Sequence, residues 1–199
     1  MAAPEAVHLF IDYQNVHLTG HALFGIQGAA PHLSLIHPAR LADQIDASRL
    51  AHGREGSITR VYVFRGLPSA THEPRPNSWN QAQASEWRRD PRVIMRQRPL
   101  RYPRNWPTDK AREKGIDVML ATSFVRAAIL READVLILAS RDTDLAPALE
   151  LAQSVQNAPL IEECVWGPSG RLLCQPPYRP WCTFLGMGDF DASLDKRTY

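Results

Sequence analysis

A chain of 199 residues with 44% hydrophobic and 22% charged residues is long enough for one domain with a sizeable core and short for two. The formal charge of +2 excludes a polycation, so any affinity for nucleic acid must come from local clustering of basic residues. No apolar run approaches the roughly 18 residues of a membrane span, and the opening MAAPEAV lacks the charged and long apolar regions of a secretory signal; the expectation is a cytoplasmic protein.

Taken in chain order, AVHLFI (6–11) is a first apolar run of strand length, and TGHALFGIQGAAPHLSLIH (19–37), with three glycines and a proline, is predicted to be an irregular flap near its end. PARLADQIDASRLA (38–51) reads as a helix: Pro38 suits its first turn, and Leu41, Ile45 and Leu50 share a face. ITRVYVF (58–64) is a second strand, NSWNQAQASEWRRD (77–90) a polar helix after Pro76, and RVIMRQ (92–97) a weaker strand. GIDVMLATSFVRAAILRE (115–132) places Ile116, Met119, Leu120, Phe124 and Ala127 on one stripe, which predicts a helix leading into the strand DVLILAS (134–140). TDLAPALELAQSV (143–155) is a further helix in which Pro147 must lie in the first turn. LIEECVW (160–166) is the last long strand; the proline- and glycine-rich 167–182 is a loop, and TFLGMGDFDASL adds a final strand or short helix. Continuous apolar runs alternating with helices predict a parallel sheet covered on both faces. The expected organisation is one domain over 1–166, with 167–199 as an extension packed upon it. Cys164, Cys174 and Cys182 lack metal-site spacing, and no histidine follows His72, so free thiols are expected.

Ligands of open parallel sheets bind at the carboxyl ends of the strands, so the polar residues that end the apolar runs carry the functional argument. The first run delivers Asp12 and Asn15; the run at 134–140 ends in Ser140, followed by Asp142 and Asp144; Asp117 opens the 115–132 helix. If the first strand and DVLILAS are neighbours, four carboxylates from three segments meet at one rim. Taken singly, Asp117 and Asp144 are ordinary helix caps, and Asp12 and Asn15 ordinary turn residues. Asp142 resists that reading, because one helix needs one cap. Clustered carboxylates repel unless a cation offsets them. Mg²⁺ or Mn²⁺ is the hard cation that suits such oxygens, and one or two such ions activate water at a phosphodiester. That is nuclease chemistry.

The blocks FIDYQNV, KGIDVMLATSFV and DVLILASRDTDLAPALELA occur in an order and spacing that resembles the NYN domain, a PIN-like nuclease fold similar to the LabA-like group of bacterial proteins. The resemblance covers residues 6–166. It implies a Rossmann-like three-layer α/β/α sandwich with a mainly parallel sheet, and Mg²⁺- or Mn²⁺-dependent cleavage of RNA. It also implies roles: Asp12, Asp117, Asp142 and Asp144 as metal-binding acids, Asn15 as the polar partner of Asp12, Ser140 as the hydroxyl of the last block, and Lys114 as the basic member of the middle one. Two positions depart from the pattern. Leu145 replaces a usual phenylalanine, an exchange of one apolar residue for another. Arg141 replaces a usual glycine, and its guanidinium would crowd the site, contact a substrate phosphate or stand in for a metal.

Residues 88–114 carry ten Lys or Arg against three acids, with Tyr102 and Trp106 interleaved. Basic groups attract phosphate and aromatic faces stack unpaired bases. This predicts an RNA-binding loop contacting single-stranded or structured RNA through Arg101, Arg104, Lys110 and Lys114; the plain alternative is a solvated basic loop. Two other functions fit parts of the pattern. A haloacid-dehalogenase-type phosphatase uses an Asp-x-Asp pair after a strand, although after its first strand rather than a late one. A regulatory adaptor would bind RNA without turnover, with Arg141 in place of the metal. His8, His17 and His21 receive no role, and no feature points to self-association, so a homodimer stays open.

Overall fold

The computed structural model describes residues 5–199. Its elements run β1 (Ala6–Asp12), α1 (Tyr13–Phe24), α2 (Pro38–Ala51), β2 (Ser57–Leu67), α3 (Pro74–Trp87), β3 (Val93–Pro99), α4 (Ile116–Leu130), β4 (Val135–Ala139), α5 (Ala146–Ser154), β5 (Leu160–Trp166), β6 (Trp181–Leu185) and α6 (Met187–Ser193). All strands pair in parallel, in the order β3-β2-β1-β4-β5-β6. The chain builds outward from β1 on one side and from β4 on the other, so the direction of winding reverses between these two neighbours. Such a switch point leaves a crevice at the strand ends.

Alternation along each strand decides which residues face which helices. Val7, Leu9 and Ile11 of β1 join Val135 and Ile137 of β4 beneath Tyr13 and Val16 of α1, Leu41 and Ile45 of α2, and Phe190 of α6. Phe10, Leu136 and Leu138 face the other way, against Leu120 and Phe124 of α4 and Leu149 of α5. Each fully buried side chain of this kind contributes about 1.5–3 kcal/mol by leaving water. The result is a three-layer α/β/α sandwich, with a sheet that is wholly parallel. β6 pairs with β5, so the residues after 166 extend the same sheet. No helix among the described residues is long and apolar enough to cross a membrane.

The flap expected over 19–37 is only partly irregular, because α1 continues through Phe24. Gly20 is a poor helix former, and tertiary packing overrides it. A side chain there would crowd Trp166 and Phe190. The bare helix instead lets the Trp166 indole N–H donate to the Val16 carbonyl at 2.8 Å, while Phe24 meets Phe190 at 5.7 Å between ring centroids. The helix expected at 77 begins at Pro74, since both Pro74 and Pro76 are tolerated in a first turn. Residues 143–145 form a 3₁₀ turn, which places Pro147 in the first turn of α5. On the α1 side, the Trp87 ring packs 4.9 Å from Tyr13, and its indole N–H donates to Asp195 at 2.7 Å.

Candidate metal centre

The acidic rim lies at the β1–β4 switch point. In register, Ile11 is opposite Ala139, so Asp12 and Ser140 leave the sheet side by side. Asp12 is 4% exposed and caps α1, accepting the Asn15 backbone N–H at 3.2 Å. The Ser140 hydroxyl donates to its other oxygen at 2.9 Å, and the same hydroxyl accepts the Asp142 N–H at 3.0 Å. The Asn15 side-chain oxygen accepts the Arg141 N–H at 2.9 Å. These two links lock the turn after β4 to the first turn of α1, and so fix Asp142 relative to Asp12.

Asp117 reaches the same point from the first turn of α4, where the helix dipole favours a carboxylate. One oxygen from each of Asp12, Asp117 and Asp142 lies within 4.8 Å of the others. Burial pushes the Asp12 carboxyl up to about 6, against its two hydrogen bonds and with help from the charges of Asp117 and Glu113. Asp117 is raised too, first by burial and then by Asp142 and Asp144. Asp144 stands apart from the three: it is exposed, its N–H donates to Asp142 at 3.0 Å, and its carboxylate acts from the rim. Among the described residues no lysine or arginine forms an ion pair with any of these four acids.

The NYN domain model matches residues 6–158. The chain belongs to the NYN domain family. NYN domains are generally nucleases, typically dependent on divalent metal and acting on RNA. A crystal structure of a protein of unknown function from Vibrio parahaemolyticus shares the fold, with a TM-score of 0.56 at 18% identity over 96% of this chain and 98% of that one. No curated protein matches the chain in sequence.

Around the acids this NYN domain opens a cavity of about 710 Å³, lined among others by Asp12, Asn15, His17, Arg65, Asn80, Arg112, Glu113, Asp117 and Asp142. Arg112 and Glu113 also line a neighbouring cavity of about 460 Å³, with Arg101, Lys110 and Lys114. Three of the four basic residues expected to contact RNA therefore border a trough beside the acids, and Arg104 lies outside both linings on an exposed turn. A backbone bridge between Arg101 and Arg112, at 2.9 and 3.0 Å, closes this basic loop. Tyr102 is stacked on His72 at 4.3 Å and donates its hydroxyl to Glu73, so one of its faces is already covered; Trp106 meets it edge-on at 5.0 Å. The Arg141 guanidinium lies against Gly170 and outside the lining of the acid cavity.

Glu113 and Arg65 are among the cavity residues that the sequence reading did not name. Glu113 accepts the Gly66 N–H at 2.6 Å, an approach that a side chain at Gly66 would block. Its carboxyl is raised first by burial, and the charge of Asp117 adds to this. Nothing in the linear sequence brings the loop at 113 to the end of β2. Arg65 did carry a signal. It is the polar residue that follows the run ITRVYVF, and the strand-end rule that selects Asp12 selects it as well.

Proposed function

We propose that this NYN domain is a cytoplasmic, metal-dependent endoribonuclease that hydrolyses RNA phosphodiesters with Mg²⁺ or Mn²⁺. The observation that carries this reading is the convergence of oxygens from Asp12, Asp117 and Asp142 within 4.8 Å, with no ion-paired lysine or arginine among the described residues to offset them. The donor set fits the metal: clustered carboxylate oxygens are the ligands a hard divalent ion prefers, with water or substrate phosphate oxygens completing its shell. Such an ion supplies Lewis acidity that activates water and neutralises charge at the phosphodiester.

The side chains of this chain divide the remaining work. Asp12, Asp117 and Asp142 would hold the metal, with Asp144 contributing from the rim. Ser140 and Asn15 are positioning residues: the first orients Asp12 and the Asp142 backbone, the second holds the Arg141 backbone. Arg101, Lys110 and Lys114 line the trough along which an RNA backbone would run, and Arg104, exposed on the same loop, and Arg141 would reach the RNA from outside that lining. An adaptor in which Arg141 replaces the metal would need that guanidinium among the carboxylates, and it lies against Gly170. The test is cleavage of a labelled RNA by wild type and Asp142→Asn, with and without chelator. Loss of cleavage in the variant and in chelator, with an unchanged circular dichroism spectrum, is expected; turnover by a folded Asp142→Asn would defeat the proposal.

A further inference from the structure

Arg65 stands one residue beyond Phe64, which is the partner of Asp12 across the β1–β2 ladder. It lines the acid cavity together with Asp12, Asp117 and Asp142. Its guanidinium lies 4.6 Å over the Tyr13 ring and 5.3 Å from the Trp87 ring, and Nη1 donates to the Gln83 side-chain oxygen at 2.9 Å. Among the described residues it has no carboxylate within ion-pair distance. Glu113 is the acid whose charge reaches it, from farther away. Aromatic faces and one amide hold the fork rigid and leave donors to spare. They do not neutralise it, and a half-buried cation without an anion carries a desolvation cost that a bound phosphate would offset.

We propose that Arg65 forms a phosphate subsite at the end of β2, gripping the phosphate next to the one that the acid cluster addresses. This rests on the nuclease reading above. β4 and β2 flank β1, so their ends are about 10 Å apart, farther than the oxygens of one phosphate extend. One phosphate over the β1–β4 crevice and a second over β2 would be served by groups of opposite character: carboxylates that need a cation, and a cation that needs an anion. The planar fork of arginine matches phosphate oxygens in pairs. Its stacking on Tyr13 and Trp87 fixes the orientation before the strand arrives, which reduces the entropy lost on binding.

The test measures binding of a fluorescent oligouridylate by anisotropy in EDTA, where binding is separated from turnover, for wild type, Arg65→Met and Arg65→Lys. Methionine keeps apolar contact with the two rings and removes the charge. It is expected to weaken binding about tenfold or more and to flatten the plot of log affinity against log salt by about 0.7, the share of one single-strand phosphate. Lysine keeps the charge without the fork, and is expected to keep the slope while binding more weakly than wild type. With Mn²⁺, both variants should raise KM more than they lower kcat. Wild-type affinity and slope in a folded Arg65→Met overturns the subsite; should that variant unfold, wild-type affinity in Arg65→Lys does so instead. Wild-type protein that binds no oligouridylate in EDTA also overturns it. Turnover by Asp142→Asn defeats the nuclease reading separately, because the EDTA comparison judges Arg65 without reference to cleavage.

Discussion

Two carboxylates of this sheet are almost equally hidden and very differently served. Glu162 of β5 is 1% exposed and sits between two guanidinium groups, Arg49 at 2.9 Å and Arg54 at 3.2 Å. Asp12 of β1 is 4% exposed and receives only neutral donors, the Asn15 N–H and the Ser140 hydroxyl. The chain completes the first site from its own residues. It leaves the second with a net negative charge that two further aspartates deepen. A buried acid matched internally is part of the scaffold; one left unmatched beside other acids is, on the function proposed above, a ligand for a cation from solution.

The same chemical change should therefore act oppositely at the two positions. Asp12→Asn is expected to lower RNA cleavage by about a thousandfold or more, since the metal supplies several kcal/mol at the transition state. Its thermal stability in chelator should equal or exceed that of wild type, because a raised buried acid is removed. Glu162→Gln should do the reverse: it strands Arg49 in the interior at a cost of about 3–5 kcal/mol, a fall in Tm of roughly 6–20 °C, with cleavage per folded molecule retained. Equal stability losses in the two variants would erase the distinction.

Smaller effects sharpen it. Asp12 has an ordinary value of 3.8 and is pushed up to about 6 in the folded protein, so the fold favours its protonated form. Its contribution to stability in chelator is full below the ordinary value and is lost as pH rises through about 6, with an upper bound on the order of 3 kcal/mol. Adding Mn²⁺ at a hundred times its Kd should restore about 2.7 kcal/mol at pH 8 and nothing in Asp12→Asn; calorimetry across pH checks both signs. Ser140→Ala should be mildest, costing about 10–100-fold in metal affinity, seen as a shift in the metal concentration for half-maximal cleavage without loss of maximal rate.

The parts of this molecule that were legible in its sequence are those whose determinants are local. β5 reads from LIEECVW because a strand covered on both faces is predominantly apolar; the two glutamates inside it are legible only through their arginine partners, which come from α2, the α2–β2 loop and the 167–180 loop. α2 begins at its proline. The acids were found because strand ends are where a parallel sheet presents ligands. α1 was not read as a helix, and its second half was assigned to a flap, because the residues that seat it, Trp166 and Phe190, are remote from Gly20. Glu113 was invisible because its meaning lies in the Gly66 N–H, and the direction of the Arg141 side chain, against Gly170, is set by a loop that Ser140 does not predict. Contacts that close over long stretches of chain leave no local trace.

The support of Trp87 has a consequence for the order in which the cavity matures. Its indole is held by Asp195, which is made long after Asp12, Asp117 and Asp142, and Arg65 rests beside its ring. On the ribosome the acidic half of the cavity has all its side chains once the β4 turn has emerged, while the stack behind Arg65 still lacks its last brace. A nascent chain would thus carry its three clustered aspartates before the ring beside Arg65 is braced.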